Sequence, residues 1–139
     1  MKNQTLSKEQ MDHLVQLGLS TKNASIKVFE SIHGDVLYYS SESEELVSVD
    51  EDEMYKHYST FTLYDILKVL PRTINGCILS IDFDYCCFEY YYYSYDGPTS
   101  WHKIYFNSIE NIMDGAYEML VWAIENGYLN SIIKKHENI

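Results

Sequence analysis

The stretch Tyr85-Cys86-Cys87-Phe88-Glu89-Tyr90-Tyr91-Tyr92-Tyr93-Ser94-Tyr95 decides the fold. Six of the chain's 14 tyrosines fall in it, and neither glycine nor proline interrupts it. Aromatic side chains in this density suit a pleated, half-buried strand. Successive side chains of a strand point to opposite faces. Glu89 belongs in water, which assigns Tyr85, Cys87, Tyr91, Tyr93 and Tyr95 to an outer face. Cys86, Phe88, Tyr90 and Tyr92 then face the core. Asp96-Gly97-Pro98-Thr99 reads as a turn. Trp101 to Phe106 is the next strand, where an outward Lys103 brings Trp101 and Tyr105 with it. On the other side, Cys77 to Phe83 reads as a strand with Cys77, Leu79, Ile81 and Phe83 on one face. The connections are too short for crossovers, so the three strands form an antiparallel meander.

Helices flank this sheet. Ser7 followed by Gln10 is a capping box, and Leu6 with Met11 is the matching hydrophobic staple. Met11, Leu14, Val15 and Leu17 give the apolar stripe, and Gly18 the left-handed stop. A second helix starts at Thr62, with Asp65 at its third position and Pro71 beyond its end. Ile66, Leu67 and Leu70 face inward. The longest helix follows an Asn107 or Ser108 cap. Ile109, Ile112, Met113, Ala116, Leu120, Ala123 and Ile124 recur at helical spacing as far as Asn126-Gly127. The tail from Leu129 to Ile139 adds a short helix or frays. Upstream, Ile26, Val28 and Ile32 read as a strand, His33-Gly34-Asp35 as a turn and Val36 to Ser40 as its hairpin partner. Leu46-Val47-Ser48-Val49 is a candidate edge strand. The expected fold is α+β: an antiparallel meander of about three to five strands packed against two or three helices, the longest C-terminal.

The 139 residues suit one domain spanning 1–139. The formal net charge of −11 excludes non-specific attraction to a nucleic-acid backbone, favours basic partners and discourages anionic membranes. No apolar run approaches a membrane span, and Met1-Lys2-Asn3-Gln4-Thr5 shows no signal-peptide core. Cys77, Cys86 and Cys87, an odd count, point to reduced thiols in a cytoplasm. Neither the five histidines nor the cysteines have zinc spacing, and no glycine-rich phosphate loop occurs. No cofactor is expected.

Two features concentrate chemistry. The outer face collects Tyr91, Tyr93, Tyr95, Trp101 and Tyr105, an aromatic patch of the kind that marks binding surfaces, unless another element covers it. The second feature is acidic: Glu42, Glu44, Glu45, Asp50, Glu51, Asp52 and Glu53, with no Lys or Arg between Lys27 and Lys56. It fits a basic groove or serves as a solvated loop. It lacks the glycine and distal Glu of an EF-hand. Asp82-Phe83-Asp84 reads as a turn former before a metal-holding pair.

Three stretches carry a family resemblance. They are Leu6-Ser7-Lys8-Glu9-Gln10-Met11 with Leu17-Gly18-Leu19-Ser20-Thr21, then Phe61-Thr62-Leu63-Tyr64-Asp65-Ile66-Leu67 with Leu70-Pro71. The third is Ala116-Tyr117-Glu118-Met119-Leu120-Val121-Trp122-Ala123-Ile124-Glu125-Asn126-Gly127-Tyr128. Together they resemble small proteins of Bacteroidetes-type bacteria, their prophages and mobile elements. The shared residues are caps, staples and helix stripes, so the resemblance implies a fold and a genomic setting but no catalytic residue. The acidic stretch and the tyrosine run depart from that pattern. A small acidic protein of such a setting also resembles the anti-CRISPR inhibitors, which are compact, acidic and non-enzymatic.

The leading expectation is a non-enzymatic inhibitor of a host RNA-guided defence nuclease. Glu42, Glu44, Glu45, Asp50 and Asp52 would occupy a basic nucleic-acid-binding groove, with Tyr91, Tyr93, Tyr95, Trp101 and Tyr105 as anchor. The partner would be a CRISPR effector or its guide-RNA complex. One alternative is an interaction module of a mobile element, for example a homodimer formed through the tyrosine-rich sheet. The other is an enzyme using Asp82, Asp84 and a histidine around a metal.

Overall fold

The structure is a computed structural model that describes residues 4–41 and 54–133. Its helix boundaries follow from local hydrogen bonding. Helix α1 (Lys8–Gln16) opens on a complete capping box: Ser7 Oγ accepts the Gln10 N–H at 3.1 Å, and Gln10 Oε1 accepts the Ser7 N–H at 3.0 Å. It closes on a Schellman motif at Gly18, whose φ is +98°. There the Leu19 N–H reaches Leu14 O at 3.0 Å and the Gly18 N–H reaches Val15 O at 2.9 Å. Helix α2 (Leu63–Val69) repeats the box with Thr62 and Asp65. Leu70 is extended, as a residue preceding proline must be, and the helix stops there. Helix α3 (Ile112–Glu125) ends in a second Schellman motif at Gly127. Neither Asn107 nor Ser108 caps α3. A 3₁₀ turn, Ile109–Asn111, comes first, and the Ser108 hydroxyl bonds the Asn111 side chain at 3.1 Å.

The fold is α+β, and its strands divide into two antiparallel sheets. The first has the order β2–β1–β3, with β1 (Ile26–Ser31) in the centre, β2 (Val36–Ser40) as its hairpin partner and β3 (Met54–Thr60) on its other side. Strand β3 was not expected from the sequence, because its run Tyr55-Lys56-His57-Tyr58 lacks a clean apolar alternation. Ile32 lies in the β1–β2 turn and is exposed. The second sheet has the order β4–β5–β6–β7: β4 (Thr73–Ile74), β5 (Cys77–Asp82), β6 (Cys87–Ser94) and β7 (Gly97–Tyr105). Asn75 (φ +50°) and Gly76 (φ +80°) make a two-residue turn between β4 and β5, the geometry that matches strand twist in a hairpin. The β6–β7 turn is Tyr95-Asp96, two residues earlier than the sequence suggests, so Pro98 is the second residue of an edge strand, where its missing N–H is tolerated. Phe83, Tyr85 and Cys86 belong to the β5–β6 turn and not to strands.

The inner face of the second sheet packs on α3. Phe88, Tyr90 and Phe106 meet Met113, Ala116, Met119, Leu120 and Ala123, all buried. The Tyr90 hydroxyl, taken into this core, donates to Pro71 O at 2.8 Å. Burial holds its pKa far above the usual phenol value. Helix α3 comes closest at Gly115, where an added Cβ would lie 2.9 Å from Phe106 Cδ1 and 3.2 Å from Phe88 Cδ2. Both rings are core residues with little freedom to move. Gly115→Ala should therefore destabilise, since an overpacking cost of about 1–3 kcal/mol exceeds the roughly 1 kcal/mol gain in helix propensity. A thermal melt of that variant above the parent would refute this account of the contact.

The first sheet joins the rest through backbone and polar ties. Leu6 N donates to Phe61 O at 3.1 Å, and Thr60 Oγ1 donates to Leu6 O at 2.6 Å. Asp65, buried, accepts on Oδ2 from Ser25 N (3.1 Å), Ser25 Oγ (2.6 Å) and Thr62 N (2.9 Å). Helices α1 and α3 meet through Gln10 Nε2 to Asp114 Oδ1 at 2.9 Å and a short His13–Tyr117 hydrogen bond.

Candidate functional site

The outer face of the second sheet is built from rows of paired residues. Ile78, Tyr91 and Ser100 form one row; Ser80, Glu89 and Lys103 a second; Asp82, Cys87 and Tyr105 a third. Tyr93 pairs with Pro98 beyond them. Among the described residues no helix or strand packs across this face in the way α3 packs on the other one. Tyr93 is 70% exposed, Tyr105 63% and Ile78 42%.

Tyr91 and Tyr93 stand two residues apart on one strand, so they project to the same side. Their rings meet edge to face, with centroids 5.4 Å apart and planes at 81°. The neighbouring Tyr93 phenol, interacting with the Tyr91 hydroxyl, holds the Tyr91 pKa above its ordinary value. Glu89 occupies the middle of the face. It accepts a short hydrogen bond from Ser100 Oγ, and Lys103 Nζ lies 3.8 Å from its Oε2. The same ammonium sits 6.0 Å from the Tyr105 ring centroid. Cys87 lies between Asp82 and Tyr105 but is buried, and burial pushes its thiol pKa up, away from the reactive thiolate.

Trp101 is not part of this face. Strands β6 and β7 pair Tyr90 with His102 but Tyr91 with Ser100, so Trp101 is an extra residue, a β-bulge. The bulge sends its indole to the helix side, against Trp122 (centroids 5.6 Å apart) and Tyr128 (5.9 Å). His102 stacks flat on Trp122, with centroids 3.9 Å apart and planes at 9°. Its Nε2 is buried without a hydrogen-bond partner, and desolvation lowers its pKa. Simple alternation would carry Trp101 outward with Lys103; the inserted residue reverses it. Tyr95 is fully exposed at the hairpin tip and lies beyond the strand rows. Tyr92 faces the helix side past the end of the core and is half-exposed.

Glu42, Glu44, Glu45, Asp50 and Asp52, like the rest of the acidic stretch and the candidate strand Leu46–Val49, lie outside the described residues. Asp82 acts as a turn former: its Oδ1 accepts from Asp84 N at 3.0 Å and from Tyr85 N at 3.2 Å. Among the described residues no three His, Cys, Asp or Glu side chains are grouped to hold a metal ion, and no helix is long and apolar enough to cross a membrane.

Ile78 and Pro98 are members of the face that the sequence reading missed. Only strand register places them beside Tyr91 and Tyr93, and register is a long-range property. Strand β7, at the sheet edge, carries Pro98, the Trp101 bulge and Lys103. These devices oppose pairing of that edge with another strand. Compared with protein-family models, curated proteins and solved structures, the chain has no significant match.

Proposed function

We propose that this chain is a non-enzymatic binding protein that docks a basic protein partner on the outer face of its four-stranded sheet. The observation that carries the reading is the open row structure of that face: Tyr91, Tyr93 and Tyr105 stand on a rigid sheet with Glu89 among them. Tyrosines held on strands give large contact area at low entropic cost. The net charge of −11 speeds encounter with a basic surface. The partner we propose is an RNA-guided defence nuclease of a bacterial host, met in the cytoplasm and inhibited by occupation of its nucleic-acid groove. This choice rests on the resemblance to small mobile-element and anti-CRISPR proteins.

Purified nuclease, with and without guide RNA, should bind the immobilised protein, and the affinity should fall with salt. Tyr93→Ala combined with Tyr105→Ala should weaken binding about tenfold to a hundredfold, as loss of one or two anchors does. Unchanged affinity in that variant removes the face from the interaction. Charge reversal at Glu44, Glu45, Asp50 and Asp52 tests the acidic stretch, and an unaltered association rate would exclude it from steering. A stable, salt-insensitive dimer in light scattering would instead favour self-association.

A further inference from the structure

We infer that the exposed Tyr91–Tyr93 ring pair reads arginine, in preference to lysine, on the basic partner. This rests on the docking role proposed for the face and specifies its chemistry. The face already holds one cation of its own. Lys103 Nζ sits between the Glu89 carboxylate, 3.8 Å away, and the Tyr105 ring, whose centroid is 6.0 Å away. That arrangement is how an acidic, tyrosine-bearing sheet retains a positive group: a carboxylate supplies the charge and a ring the flat, electron-rich surface. Tyr91 and Tyr93, on the other side of Glu89 along the same strand, repeat the ring component, and among the described residues no Lys or Arg lies over either.

The geometry selects for a planar cation. Two rings 5.4 Å apart at 81° meet edge to face, and Tyr93 keeps most of its surface exposed. A guanidinium can stack on the exposed flat face of Tyr93, with its N–H groups free to donate to an acceptor. An ammonium has no plane to stack and is more strongly hydrated, so it loses more on leaving water. Ile78 beside Tyr91 and Pro98 beside Tyr93 give the pair apolar neighbours for the methylene stem of an arginine. The occupant is assigned by charge complementarity: the chain carries −11 overall, so a cationic side chain is the favoured visitor.

The test uses an arginine homopeptide and a lysine homopeptide of equal length, titrated against the full chain at matched ionic strength. The arginine peptide should bind about fivefold or more tightly, the ratio expected of one added cation–π contact near 1 kcal/mol. Tyr91→Ala with Tyr93→Ala should bring the ratio to about one while leaving lysine-peptide binding in place. Tyr93→Ala alone, at the more exposed position, serves if the double variant melts early. Equal binding of both peptides to the parent overturns the arginine inference and leaves the basic-partner reading standing. A ratio that survives the tyrosine substitutions overturns the location. Binding of neither peptide overturns both.

Discussion

Trp122→Ala should destabilise the protein by roughly 2–4 kcal/mol, somewhat below the range for a fully buried tryptophan. The indole is the hub of the helix-side aromatic cluster. It stacks on His102 at 3.9 Å, meets Trp101 edge-on at 5.6 Å, and lies 5.2 Å from Tyr128 and 5.9 Å from Tyr90. Truncation removes all four ring contacts at once. Urea denaturation should show the loss as a lower midpoint at nearly constant slope. A midpoint close to the parent's would mean that the cluster packs without contributing. The variant also has a pH signature. Burial lowers the His102 pKa below 6.5, so the unfolded chain binds a proton there before the folded one does. Stability from this histidine is complete above pH 6.5 and is lost as the pH falls through the lowered folded value. Opening the cluster to water should shrink this dependence. His102→Gln should remove it. Both tryptophans lie in the cluster, so their fluorescence reports the protonation directly. An identical pH profile for the parent and His102→Gln would assign the titration elsewhere.

Asp65→Ala should cost about 3 kcal/mol, because it strands buried donors and removes a helix cap at once. Its Oδ2 serves Ser25 N, Ser25 Oγ and Thr62 N, at 3.1, 2.6 and 2.9 Å. The Thr62 bond closes the capping box of α2, and the Ser25 bonds hold the residue leading into β1 against that helix. Asp65→Asn keeps one acceptor oxygen and should cost distinctly less. If both substitutions cost the same, the carboxylate is not acting through these acceptor bonds. Hydrogen exchange should then separate the two parts of the fold. In Asp65→Ala the amides of β1 and α2 should exchange faster, while those of β6 and α3 keep their protection relative to global unfolding.

The sequence by itself determined the features whose physics is local. Ser7 with Gln10, Thr62 with Asp65, and the left-handed glycines 18 and 127 set helix ends within a few residues. They need no distant partner, because a cap satisfies donors one turn away. Alternation along Phe88, Glu89, Tyr90 and Tyr91 likewise assigned inner and outer faces correctly, since the period of a strand is a property of its own backbone. The tertiary structure alone decided the rest. Strand β3 exists because β1 offers it a free edge, and division into two sheets depends on which edges meet. Ile78 and Pro98 join the tyrosine face through pairing between strands, which no single strand encodes. Trp101 shows the limit most plainly. One residue inserted opposite the Tyr90–Tyr91 step reverses its side, moving it from the expected contact surface to the packing against Trp122. A bulge is a mismatch between two strands, so it is written in neither strand on its own.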